Sequence, residues 1–199
     1  MPPLPPVTKA LMLICTAVFC VQLLFPVPMD VLFALWPLQS GHFFAWQVLT
    51  YAFLHGGVVH LFFNMLGLWM FGSELERLWG RNRYLQLLLA SVVSAAVVQL
   101  GFTFITRSYA PTVGASGALF GLLLAFGMLF PNRVIMPLFP PIPMKARTFV
   151  MVFGGLELMF GLTGGSGVAH FAHLGGMLGA WLMISYWRGR LPFGPRRRR

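Results

Sequence analysis

Apolar residues run along this chain in long blocks separated by short polar or basic connections. Six blocks, at roughly 10–25, 58–72, 84–105, 113–130, 148–163 and 168–187, are candidates to cross a bilayer as helices. Several are shorter than the ~20 residues of a full crossing. Short blocks imply a locally thin bilayer or helix ends shielded by protein. The connection 26–57 is long and unusually apolar. Within it, 43–54 is too short to cross and too greasy to float free, so an interfacial or re-entrant segment is expected, with Trp36, Trp46 and Tyr51 at the membrane–water boundary. The loop 137–144 is Pro-rich and expected to be extended, and Gly164-Gly165-Ser166-Gly167 forms a small, mobile connection.

Charge fixes the count and the orientation. Of 14 lysines and arginines, Lys9, Arg77, Arg81, Arg83, Arg133, Lys145, Arg147, Arg188, Arg190 and Arg196 to Arg199 fall in alternate connections or at the two ends. Arg107 alone falls on the opposite side. The positive-inside rule then gives six spans with both termini cytoplasmic, and five or seven spans would break the alternation. With 199 residues, 58% hydrophobic and 9% charged, the chain is an all-α polytopic membrane protein forming a single domain over 1–199, closed by a basic tail at 188–199. The net charge of +10 lies between and after the apolar blocks, where it suits anionic lipid headgroups and not nucleic acid. Cys15 and Cys20 do not share a helix face and read as buried thiols. No small-x-small cleavage site follows Phe25, so the first block is expected to remain as a span.

This map brings the polar residues of the apolar blocks into one layer. His42, His55, His60, His170 and His173 all fall on the extracytoplasmic side. His60 and Asn64 share a face of the second block, Ser116 lies about three residues inside the fourth, and His173 about five inside the sixth. Their expected depths are roughly 3 to 9 Å below the outer edge, at 1.5 Å rise per residue. Polar groups in hydrocarbon are costly, and their sharing of a layer points to function. Gly117-x-x-x-Gly121 and Gly176-x-x-x-Ala180 are small-xxx-small patterns that let the fourth and sixth helices touch closely. That closeness would allow His173 to take the proton of the Ser116 hydroxyl, a weak nucleophile by itself. Asn64, His60 and the Ser116 backbone N–H are candidate donors to a tetrahedral oxyanion. Phe120, one turn below Ser116, can pack against the imidazole. Asp30, Glu74 and Glu76 lie away from this layer, and Glu157 has no assigned partner, so the simplest arrangement is a Ser–His dyad.

Three stretches of this sequence resemble the rhomboid intramembrane serine proteases. His55-Gly56-Gly57-Val58-Val59-His60-Leu61-Phe62-Phe63-Asn64 is similar to that family's second-helix signature. Gly114-Ala115-Ser116-Gly117 resembles its nucleophile motif, and Ala172-His173-Leu174-Gly175-Gly176 with Ala180 resembles its sixth-helix motif. The resemblance implies a six-transmembrane-helix rhomboid-like bundle with a long interfacial first loop. It implies a serine endopeptidase with Ser116 as nucleophile, His173 as base and then acid, and His60 and Asn64 at the oxyanion. Gly114, Gly117 and Phe120 support that site. Glu76, four residues before Gly80, matches an acid with a structural role beside a cytoplasmic turn. The resemblance further implies that the fifth span and its following loop gate lateral access for transmembrane protein substrates. Two departures stand out. The family commonly has Trp-Arg in the first loop where this chain has Trp46-Gln47, which removes an Arg-based anchor, and the aromatic below the serine is Phe120 in place of Tyr.

The expected location is the cell (inner) membrane, with the active site opening to the extracytoplasmic side. No cofactor and no metal is expected: His170-Phe171-Ala172-His173 lacks the acid of a His-Glu-x-x-His motif, and no thiolate lies near the outer face. A non-catalytic relative that only binds transmembrane helices would need neither Ser116 nor His173.

Overall fold

A computed structural model describes residues 3–138, 141–163 and 169–191. The connection at 164–167 and the terminal arginines lie outside the described residues, as does part of the Pro-rich loop. The described chain is mostly helical. Helix α1 is Pro6–Leu24 and α2 is Pro26–Phe33, the break between them falling at Phe25 before Pro26. Helix α4, Val58–Gly67, continues through a π turn, Leu68–Gly72, into α5, Ser73–Thr106. Gly80, at φ 73 and ψ 171, breaks that continuous segment where the sequence has its Arg77–Arg83 cluster. Helix α6 is Ser116–Leu129, α7 is Ala146–Thr163 and α8 is His170–Trp187. A two-residue antiparallel pair, β1 Val134–Ile135 and β2 Met144–Lys145, closes the connection from α6 to α7.

Each apolar block therefore carries helix, with one informative difference. The block at 113–130 begins its helix only at Ser116, because Thr112 is tied into an antiparallel bridge with Leu35 and Gly114 then turns the chain. Among the described residues, Pro6–Leu24, the continuous Val58–Thr106 and Ala146–Thr163 are long and apolar enough to cross a membrane, and Ser116–Leu129 is a shorter apolar helix. Large apolar side chains such as Leu24, Val58, Phe62, Ile105, Met151 and Leu162 face outward. So wide an apolar exterior marks a lipid-facing surface, and the protein is an integral membrane protein.

Helix α8 sits at the centre, packed against α5, α6 and α7. Backbone contact there depends on missing side chains: a Cβ on Gly176 would lie 1.8 Å from the carbonyl oxygen of Gly117, and one on Gly179 would lie 2.3 Å from that of Ala90. The main core gathers Leu75, Leu87, Leu122, Phe126 and Ile184. Beside it, Glu76 is buried and accepts the Val7 and Thr8 N–H groups at 2.9 and 2.7 Å, satisfying first-turn donors of α1. That is the structural role expected of this acid.

The first loop is anchored without arginine. Gln47, at the start of the short helix α3, Gln47–Thr50, is fully buried. Its Oε1 accepts the N–H groups of Trp36 and Phe44 at 3.3 and 3.2 Å. Its Nε2 donates to the carbonyls of His42 and Val31 at 3.0 and 3.2 Å. The neutral amide thus both donates and accepts, which a guanidinium cannot do. Replacing Gln47 by Ala strands several buried backbone groups. The expected result is a thermal midpoint in detergent lowered by about 4–8 °C, measured against wild type, from a loss of about 2 kcal/mol.

Candidate active site

Local backbone geometry places the serine. The segment before α6 is extended and bridged to Leu35. Gly114 then adopts φ 126, a conformation that disfavours any side chain, and its N–H donates to the Tyr51 carbonyl at 2.9 Å. A Cβ at Gly114 would also lie 2.6 Å from Cε1 of His60. Glycine is therefore required twice over at this position. Two residues later Ser116 opens α6, so its backbone N–H belongs to the first helical turn, which has no carbonyl to bond within the helix.

The candidate base arrives from α8. Contact between Gly117 and Gly176 draws the two helices together, and Nε2 of His173 lies 2.8 Å from Oγ of Ser116. The Phe120 ring stacks on the imidazole with centroids 4.3 Å apart and planes 7° apart. Stacking of this kind fixes the ring plane.

From α4, His60 and Asn64 face the same space. The Gly56 N–H donates to Nδ1 of His60 at 3.2 Å, so the neutral ring carries its proton on Nε2, on the side of the ring that faces Gly114. Asn64 is buried, and its Nδ2 donates to the His60 carbonyl at 2.9 Å, leaving a second amide N–H. A cavity of about 770 Å³ is lined by Gly56, His60, Asn64, Ser116, Phe120 and His173. All seven residues singled out in the sequence (Ser116, His173, His60, Asn64, Phe120, Gly114 and Gly117) thus come together. His55 lies beside them, its ring 5.3 Å from that of His60. Burial, with His60 nearby, lowers its pKa to about 4 and keeps it neutral. His42 stays in the first loop against Trp36, and Asp30 pairs with Gln22.

One residue joins the site that the sequence leaves without a partner. Glu157, on α7, brings Oε2 to 2.6 Å from Nδ1 of His170 and 2.8 Å from Nδ1 of His173. The sequence left the role of Glu157 open, and the structure sets its carboxylate beside His170 and His173. The available signal was an acid inside an apolar helix facing two histidines at i, i+3 on the next one. Sequence could not supply the rotation of α7 about its axis, which decides whether Glu157 turns toward them.

Glu157, His170 and His173 present ligand-type atoms all within 4.8 Å of one another, so the cluster could hold a metal ion. A metal on Nδ1 of His173 would leave the ring proton on Nε2, where it would point at Ser116 and occupy the lone pair a base needs. The cluster cannot bind a cation and serve Ser116 in the same state. Treatment of purified protein with EDTA is expected to leave peptide-bond cleavage within about twofold of untreated protein. Loss of activity restored specifically by zinc would reverse that conclusion.

A helical membrane protein with a serine, an imidazole and two amide or imidazole donors around one cavity is the class that the fold and the site define. Residues 42–190 match the Rhomboid domain family. The chain is 32% identical over 138 residues to the rhomboid protease GluP of Bacillus subtilis, covering 68% of this chain and 25% of that protein. It is 35% identical over 99 residues to the mitochondrial rhomboid protein 1 of Saccharomyces cerevisiae, covering 49% of this chain and 29% of that one. With the rhomboid protease GlpG of Yersinia pestis it shares 25% identity over 186 residues, covering 93% of this chain and 63% of its relative. The chain belongs to the rhomboid family, and it spans about a quarter to two thirds of the length of these relatives.

Proposed function

We propose that this protein is an intramembrane serine endopeptidase that cuts peptide bonds in or near the transmembrane helices of other membrane proteins. The observation that carries the reading is the 2.8 Å contact between Ser116 Oγ and His173 Nε2, inside a cavity shared with His60 and Asn64. Two of the relatives above are named rhomboid proteases, which supports the same reading.

The chemistry follows from the positions. His173 takes the Ser116 proton through Nε2 as Oγ attacks the substrate carbonyl. The oxyanion is held by Nε2–H of His60, the free amide N–H of Asn64 and the backbone N–H of Ser116. His173 then protonates the leaving amine. Water, activated by the same imidazole, hydrolyses the acyl-enzyme and restores Ser116.

Access to the site from the bilayer is supported by a second cavity. An apolar groove of about 280 Å³ between α4 and α7 is lined by Met70, Phe71, Leu123, Phe149 and Phe153. It shares the lining residues Phe63, Leu119 and Phe120 with the catalytic cavity, so the two adjoin. A substrate helix approaching between α4 and α7 would reach Ser116 along this groove, with α7 as the gate. A helix shields its own amides, so local unwinding must precede attack, and motion at the gate limits turnover alongside chemistry. The proposed topology has six spans, both termini in the cytoplasm, and the catalytic cavity toward the extracytoplasmic face of the cell (inner) membrane.

The test uses purified full chain in detergent and a single-span substrate. Wild type should release fragments whose masses place the cut within or beside the transmembrane segment, and Ser116→Ala should not. Cuts confined to a distant soluble portion would overturn the reading.

A further inference from the structure

We propose that Glu157 is a positioning residue for the catalytic base, so that Ser116, His173 and Glu157 act as a three-member chain with His170 holding the carboxylate in place. This rests on the Ser116–His173 assignment proposed above.

The geometry links three helices in series. Ser116 Oγ on α6 lies 2.8 Å from Nε2 of His173 on α8, and Nδ1 of the same ring lies 2.8 Å from Oε2 of Glu157 on α7. A neutral imidazole carries one proton. A carboxylate beside Nδ1 draws that proton to Nδ1 and leaves the Nε2 lone pair facing the serine. When Nε2 accepts the Ser116 proton, the resulting imidazolium lies against an anion in a little-hydrated site. The side chains of Glu157, His170 and His173 are only 13%, 8% and 9% exposed. These are the two services a carboxylate gives a catalytic histidine: tautomer selection and stabilisation of the cation.

Phe120 does not perform either service. A ring stacked 7° from parallel holds the imidazole plane but distinguishes neither its two flipped orientations nor its two tautomers. The carboxylate distinguishes both.

His170 explains how the carboxylate keeps its position. Its Nδ1 makes a hydrogen-bonding contact with the same Oε2 at 2.6 Å. Oε2 reaches His173 off the axis of the Nδ1–H, at contact distance but without hydrogen-bond alignment. Its effect on His173 is therefore electrostatic in this state. Alignment depends on the placement of α7, the helix that flanks the substrate groove. Base orientation is in this way tied to the position of the gate.

A carboxylate that merely latched α7 to α8 would behave differently, because breaking a latch eases substrate access. The test compares wild type with Glu157→Gln as purified full chain in detergent. It measures kcat and KM on the single-span substrate and the rate of Ser116 labelling by a small fluorophosphonate, which needs no opening for a helix. The expected result is kcat lowered about 10- to 100-fold with KM within about twofold, and labelling slowed in proportion. The loss is smaller than in a well-aligned Ser-His-Asp triad because the contact is off axis and shared with His170. Unchanged kcat, or a change confined to KM, would overturn the proposal. A second measurement needs no variant: ¹⁵N NMR of histidine-labelled wild type should find the neutral His173 ring protonated on Nδ1, and the Nε2-protonated tautomer would overturn it. The two readings fail separately. Wild-type cleavage by Ser116→Ala defeats the proposed function, whereas normal kcat in Glu157→Gln beside an inactive Ser116→Ala defeats only the role of Glu157.

Discussion

Alanine at position 116 should leave a folded protein that no longer cuts. The substitution removes one oxygen atom, and with it one hydrogen bond to His173. Net loss of such a bond costs roughly 0.5–1.5 kcal/mol. Alanine suits the first turn of α6, whose start is set by Gly114 and the Leu35–Thr112 bridge and not by the hydroxyl. The thermal midpoint in detergent should therefore move by only about 2–5 °C. Catalysis has no such reserve, because the proposed nucleophile is the removed atom and the remaining donors can only stabilise attack by water. The expected fall in cleavage rate is on the order of 10⁴-fold or more. The assay is fragment release followed by gel and mass spectrometry, and cleavage above about one per cent of wild type in pure mutant protein would sink the serine mechanism.

The second large effect belongs to His173. A fluorophosphonate probe should label wild type at Ser116, and labelling should drop by about 10³-fold or more in His173→Ala, where no base takes the serine proton. Truncation also removes the stack on Phe120, at about 0.5–1.5 kcal/mol, and leaves a cavity between α6 and α8. A thermal melt run beside the labelling separates lost structure from lost chemistry. His173→Gln, which fills more of the space but cannot act as a base near neutral pH, should be as inert toward the probe as the alanine variant. Equal labelling of wild type and both variants would remove His173 from the mechanism.

Glu157 adds a condition to both results. If the carboxylate selects the His173 tautomer, the serine responds to where α7 sits as well as to what α8 carries. A substrate helix in the groove between α4 and α7 then touches the same element that orients the base. The first loop contributes rigidity to the opposite side: Gln47 ties it internally, and the Leu35–Thr112 bridge ties it to the segment leading into Ser116.

Much of this was legible along the chain because the governing physics is local. Apolar blocks locate helices, since lipid-facing backbone must satisfy its own hydrogen bonds within each segment. Alternating charge gives them an expected orientation. Ser116, His173, His60 and Asn64 fall at one depth because a helix advances by a constant rise per residue. Gly117 and Gly176 announce a close crossing by their size alone.

What tertiary structure decided depends on rotation and on partners distant in sequence. The helix containing Ser116 begins at the serine and not at Val113, because Gly114 and a bridge from Thr112 to Leu35 keep the preceding residues out of the helix. Gln47 anchors a loop for which the sequence showed only a missing arginine, because four backbone groups converge on one amide only after the loop has folded. Glu157 meets His170 and His173 because α7 turns its acid toward α8. Hydropathy is insensitive to that turn, since an apolar helix can rotate about its axis with little change in its pattern. By itself the sequence determined which residues could do chemistry and at what depth. Packing of α6, α7 and α8 decided which of them touch, because contact between side chains on separate helices is set by axial rotation and crossing distance, neither of which is written at any one position.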